Sequence, residues 1–245
     1  MSQTDICIRL ERPAEQFAVE ELVRNAFWNV YRPGCMEHFV LHCLRGDPAF
    51  VPELDFVMEH NGALIGQIVF VRAAVALDDG TSLPVLNAGP LCIAPEVQRQ
   101  GLGRQLLDHA LGRAAALGYG AAVLEGDPAF YGGSGFVPGK TIGVRYADDP
   151  NADYFLVKEL RPGYLHGVSG SYRDPEGYFV CLSHPEAFAA YETQFPVKHS
   201  PDEEKGPALF LHSEAVPGRE PQTVRVLLIF LLRNPSVCVI SFLYS

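Results

Sequence analysis

Gln98, Gly101 and Gly103 stand in the run Gln98-Arg99-Gln100-Gly101-Leu102-Gly103-Arg104, whose residue types suit the binding of an anion. The stretch before it, residues 83–93, reads as a strand. After it, Leu102, Leu106, Ala110, Leu111, Ala114 and Leu117 recur at the helical period, with Arg104, Asp108 and Arg113 on the other face. A strand feeding a glycine-bearing turn that opens a helix presents amides with no internal partners, and the dipole adds roughly half a positive charge there. At positions 101 and 103 no Cβ keeps the backbone from a phosphate. Two known phosphate motifs are excluded. A P-loop ends in Gly-Lys-Ser/Thr, which is absent here. A dinucleotide fingerprint needs a third glycine where Leu106 stands.

Other residues invite chemistry less strongly. Cys35, His38 and His42 share a helical face, with Cys43 beside them, and such ligands raise a zinc site. No fourth ligand is spaced to close a tetrahedron, so the reading is of no metal. Glu125, at the end of a predicted strand, is a general-base candidate acting through a water, weighed against a plain strand-end carboxylate. Cys92 reads as a small core residue rather than a nucleophile.

The elements that must position these residues follow from pattern. Ile6–Leu10 reads as a strand and Pro13 opens a helix over residues 13–27, with Phe17, Leu22, Val23 and Ala26 as its buried stripe. A second helix covers residues 35–45. Strands 54–59 and 64–77 join at Asn61-Gly62, a strong hairpin signal. The second of them is apolar on both faces (Ile68 and Phe70, Val69 and Val71), as in a sheet covered on both sides. Ala121–Glu125 is a further strand; Asp127 then caps a short helix with Pro128 at its first position. Strands at 141–145 and 154–160 follow. The order implies an α+β, or layered α/β, domain around one mixed, mostly antiparallel sheet.

The pattern Gln98-Arg99-Gln100-Gly101-Leu102-Gly103 resembles the acetyl-coenzyme A loop of the GNAT superfamily of N-acetyltransferases, and the element order is that of the GNAT fold. Tyr131-Gly132-Gly133-Ser134-Gly135-Phe136 is similar to a Tyr-x-x-x-Gly-Phe segment of many members, and the likeness runs from about Ile6 to Leu160. The resemblance implies acetyl-CoA as cosubstrate. Its pantetheine arm would pair with Leu91, Cys92 and Ile93, and its pyrophosphate would lie on the amides of Gln98, Arg99, Gln100, Gly101, Leu102 and Gly103. Arg99 and Arg104 flank the loop and would either meet the phosphates or lie solvated on the helix surface, and the second helix would line the acceptor site, with Glu37 and His38 as candidates to recognise the substrate amine. Tyr131 becomes the candidate general acid, because a phenol with a pKa of about 10 can protonate a thiolate of about 8.5. The implied reaction is direct attack by a primary amine, borne by a small molecule or a peptide. The rival is a non-catalytic acyl-CoA-binding or regulatory module on the same fold.

The formal net charge of −10 disfavours a nucleic-acid partner. Six cysteines form no Cys-x-x-Cys pair, and Asp5, Arg9, Glu11 and Arg12 interrupt any apolar leader, so reduced thiols and a cytoplasmic location are expected. No membrane span is expected. The acetyltransferase domain is drawn at 1–182. The extension 183–245 holds a peripheral helix at 185–195, a polar linker at 200–207 and two apolar runs at 224–232 and 237–244. The tail reads either as a dimerisation or docking segment, leaving a homodimer open, or as a non-native extension of the reading frame.

Overall fold

The computed structural model describes residues 6–198, so the expectations for the linker and the two apolar runs of the tail lie outside the described residues. The chain runs β1 (Ile6–Leu10), α1 (Gln16–Phe27), α2 (Glu37–Leu44), β2 (Phe56–His60), β3 (Ala63–Leu77), β4 (Ser82–Ile93) and α3 (Leu102–Ala116). It continues through β5 (Ala121–Glu125), α4 (Pro128–Tyr131), β6 (Val137–Pro138), β7 (Val144–Tyr146), β8 (Phe155–Glu159), β9 (Gly170–Tyr172), α5 (Val180–Ser183) and α6 (Pro185–Glu192). Among the described residues all nine strands join one sheet in the order β1-β2-β3-β4-β5-β8-β6, with β9 on β3 and β7 on β9.

β3 is the hub. Its consecutive apolar residues Ile68, Val69, Phe70 and Val71 are all fully buried, because helices or a second layer cover both faces. β4 runs along one edge, while β2 and then β9 share the other. The sheet thereby folds over, and Tyr172 of β9 stacks on Phe155 of β8 with ring centroids 5.0 Å apart. One core lies among α1, α2, α3 and the sheet, and a second lies between β5, β8 and the β7–β9 flap.

Several local expectations are corrected. Residues 139–142 form a single 3-10 turn bracketed by Gly139 and Gly143, so the strand expected at 141–145 begins only at Val144. Phe17 is 45% exposed rather than in the buried stripe, and stacks on Phe195 at 4.7 Å. Leu117 lies past the last turn of α3 and is also exposed. The helix expected at the periphery is instead docked. Tyr191 of α6 is buried and donates to Glu20 of α1, and Glu192 accepts from Arg24.

Candidate active site

Side chains alternate along a strand, so the register assigns each residue of β4 to a face. A Cβ on Gly66 would press on Leu106 of α3, which places Gly66, Ile68 and their partners Ile93 and Leu91 on the α3 face. The pairing then passes from Ile68↔Leu91 to Phe70↔Ala88, so Gly89 and Pro90 together oppose Val69 as a bulge in β4. Tyr178 donates to the Gly89 carbonyl at 2.8 Å and holds the bulge. β5 pairs with β4 in parallel only at Leu86↔Ala122 and Asn87↔Val123. From Ala88 onward the strands part, leaving the β4 edge that faces β5 without a strand partner among the described residues.

On the α3 face this gap opens into a cleft of about 470 Å³ lined by Leu91, Cys92, Ile93, Val97, Gln98, Arg99, Gly101, Leu102, Gly103 and Phe130. Gln98 does not reach outward. Its amide donates to the Ile93 carbonyl at 3.0 Å and folds the loop back on the end of β4. Arg99 then takes φ 63° and Gly101 φ 81°, the second being the N-cap of α3. A left-handed N-cap suits glycine and would strain an L residue by roughly 1–2 kcal/mol. No side chain caps the helix, so the amides of its first turn face the cleft mouth without a partner from the cap. The expected cofactor residues are therefore split. Gln100 and Arg104 do not line the cleft, while Val97 and Phe130, not expected from sequence, do. Arg104 is half exposed, donates to the Gly133 carbonyl and lies 3.6 Å from Asp108, tying α3 to the turn after α4.

Asp127 caps α4 as expected, accepting from the Ala129 amide at 2.8 Å. Tyr131 ends that helix, 2% exposed, and meets Phe130 and Phe136 edge to face at 4.9 and 5.8 Å. Phe130, not Tyr131, lines the cleft. Gly126 is required for this placement, since a Cβ there would lie 2.3 Å from the Tyr131 ring. Burial pushes the Cys92 thiol up to about 12, which fits a core residue and not a nucleophile.

Across the sheet the gap is walled differently. Asn87 shares its face with Val123 and hence with Glu125 two residues on. Asn87 Nδ2 donates to Tyr172 at 2.6 Å and to Asp174 at 3.2 Å, while Tyr146 donates to the other Asp174 oxygen at 2.6 Å. Glu125 is 2% exposed; burial, with Asp174 beside it, pushes its carboxyl well above the usual range. Tyr146, Tyr172 and Asp174 were not singled out from sequence. Glu37 and His38, by contrast, do not line the cleft. His38 is fully buried, with Nε2 2.9 Å from Glu192 and its ring against Phe195, and Glu37 accepts from the Met36 amide. Among the described residues no three His, Cys, Asp or Glu side chains come together as a metal site, and no helix is long and apolar enough to cross a membrane.

The model of the acetyltransferase (GNAT) domain family matches residues 53–138, which span β3, the bulge, the loop, α3, β5 and α4. The chain is 29% identical over 163 residues to the uncharacterized N-acetyltransferase YhbS of Escherichia coli strain K12, covering 66% of this chain and 92% of that protein. In sequence and in fold the chain is similar to the GNAT acetyltransferases. A crystal structure of Escherichia coli YhbS in complex with CoA superposes with a TM-score of 0.63 at 28% identity, over 73% of this chain and 94% of that one. A GNAT acetyltransferase from Brucella melitensis, solved in complex with acetyl-CoA, shares the fold at 23% identity, with a TM-score of 0.56 over 71% of this chain and 97% of that one. The GNAT fold, a mixed sheet of mostly antiparallel strands flanked by helices, thus accounts for the element order.

Proposed function

We propose that the protein transfers the acetyl group of acetyl-CoA to the nitrogen of a primary amine. The observation that carries this reading is the uncapped N-terminus of α3 at the mouth of a cleft that runs along the unpaired edge of β4. Amides of the 98–103 loop and the first helical turn grip a diphosphate, with the dipole adding to their donors. Backbone of Leu91, Cys92 and Ile93, lacking a strand neighbour on this side, pairs with the amide groups of the pantetheine arm and directs the thioester into the gap. An amide on the same edge stabilises the oxygen that gains charge as the amine attacks. Tyr131 protonates the departing thiolate, and the rings of Phe130 and Phe136 hold its phenol in place. Arg99 lines the cleft beside the phosphates, whereas Arg104 is engaged at Gly133.

Free thiol released from acetyl-CoA, followed across a panel of primary amines, tests the reading. Amine-dependent release is expected. Tight acetyl-CoA binding with no release for any amine would replace the enzyme by an acyl-CoA-binding module.

A further inference from the structure

We propose that Tyr178, from the segment that follows β9, is a positioning residue for acetyl transfer: its phenol holds the β4 bulge and so aims the open backbone edge at Leu91–Ile93 toward the thioester oxygen. This deepens the acetyl-transfer reading and rests on it.

A bulge takes a residue out of the ladder, and the polar groups of its peptide then need another partner. At the β4 bulge the Gly89 carbonyl accepts from the Tyr178 phenol at 2.8 Å. Gly89 takes φ 140°, a value that residues with a Cβ rarely adopt, so no side chain of its own fixes this peptide. Tyr178 is 2% exposed, and the bond therefore lies out of water, where it is stronger. Burial also pushes the phenol well above its ordinary value, so it remains a donor throughout the working pH range. Two residues past Gly89, Leu91 rejoins the ladder opposite Ile68, and Leu91, Cys92 and Ile93 line the cofactor cleft. The direction of the Gly89 carbonyl thus sets the direction of the edge that meets the thioester. A misplacement of about 1 Å at a reacting centre is enough to cost roughly 100-fold in rate.

Tyr178 can act as a fixed support because its own segment is held along its length. It lies in a 3-10 turn, Glu176–Phe179, in which its amide donates to the Pro175 carbonyl at 3.1 Å. Upstream, Asp174 accepts from Asn87 of β4 at 3.2 Å and from Tyr146 of β7 at 2.6 Å. At Gly177 the turn sits so close to α2 that a Cβ would lie 2.9 Å from Leu44. Downstream, the Cys181 thiol of α5 donates to the Met36 carbonyl at 3.6 Å. The GNAT domain model ends at residue 138, so the support for the bulge comes from a segment that the model does not contain.

The test is Tyr178→Phe in the full chain, with Tyr191→Phe as its control, since Tyr191 is also buried and donates to Glu20 between α6 and α1. Both variants are expected to melt a few degrees lower, each having lost one buried hydrogen bond. Only Tyr178→Phe should lower kcat, by about 10–100-fold, with acetyl-CoA affinity within about threefold of wild type and the shape of the pH profile unchanged. It should also move the infrared carbonyl stretch of bound acetyl-CoA, isotope-labelled at the carbonyl carbon, back toward its position in free solution. A merely structural role would leave that band where it is. An unchanged kcat or an unchanged band in folded Tyr178→Phe, a fall in acetyl-CoA affinity as large as the fall in kcat, or an equal loss of kcat in Tyr191→Phe would each overturn the proposal. If Tyr178→Phe does not fold, Asp174→Asn, which slackens the segment just upstream, is read in the same way with the same expected outcomes. Failure of the wild type to bind acetyl-CoA would instead sink the acetyl-transfer reading on which this one rests.

Discussion

The two faces of the β4–β5 gap are built from opposite materials. On the α3 face the polar groups are backbone donors, left open by a bulge, a divergent strand and an uncapped helix, and the side chains around them are largely apolar. On the other face the polar groups are side chains, the carboxyls of Glu125 and Asp174 and the amide of Asn87, buried among phenols. The donor-rich wall suits an anion, whereas on the other wall the carboxyls of Glu125 and Asp174 lie against each other and burial keeps Glu125 in its neutral form. The difference also decides how each face can be probed. Backbone donors yield only to changes that alter the chain's path, whereas side-chain acceptors can be removed one at a time.

That contrast fails if a variant on one face disturbs the ligand of the other. The largest effect is expected from Tyr131→Phe, which should lower turnover by roughly 10²–10⁴ while leaving acetyl-CoA affinity unchanged, as read by steady-state kinetics and calorimetry. Gly101→Asp should weaken acetyl-CoA binding about 100-fold, because it strains the left-handed N-cap and sets a negative charge at the loop. Without ligand its melting temperature should fall by less than about 8 °C, so the lost affinity is not a lost fold. Gly126→Ala should lower turnover about tenfold by moving the Tyr131 ring, with acetyl-CoA affinity kept. Arg104→Ala should change acetyl-CoA affinity by less than about threefold, since its guanidinium is half exposed and tied to Gly133. A larger loss would place Arg104 on the phosphates after all.

The smallest effect on activity concerns Asp55, a buried acid on neither wall. Burial, with Glu11 beside it, raises its carboxyl to about 8, against an unfolded value near 4. Because the folded value is the higher one, the folded state holds more protons over that window, and stability falls as pH climbs from about 4 to about 8. Asp55→Asn should therefore flatten the decline in melting temperature between those pH values while leaving turnover at pH 7 near wild type.

Much of the donor face was legible in the chain because it is local. Strand, loop and α3 are contiguous in sequence, and helical period, glycine placement and the Gln98–Gly103 pattern all point to the same turn. The bounds of β1 and β5 and the Asn61-Gly62 hairpin were equally plain, since alternation and turn chemistry operate over a few residues. What stayed hidden depends on distant partners. Tyr146 and Tyr172 sit on strands of three residues, too short to show a period, and reach Asn87 and Asp174 only because the β7–β9 flap folds back over the sheet. His38 has the right helical spacing for a shared face, yet that face is covered by α6, some 150 residues on, and so its ring went to the core. Gln98, in turn, was legible as a loop residue, but its side-chain bond to Ile93 depends on the bend that the loop itself creates.

Acetyl transfer at this site requires that the open amides at the start of α3 hold a diphosphate. Calorimetric titration of the full chain with acetyl-CoA and, separately, with S-acetyl pantetheine, which lacks the diphosphate, tests it most directly. The account predicts saturable heat with acetyl-CoA and affinity at least about 100-fold weaker for the truncated thioester. Equal affinity for the two, or no heat with acetyl-CoA from folded protein, would contradict it.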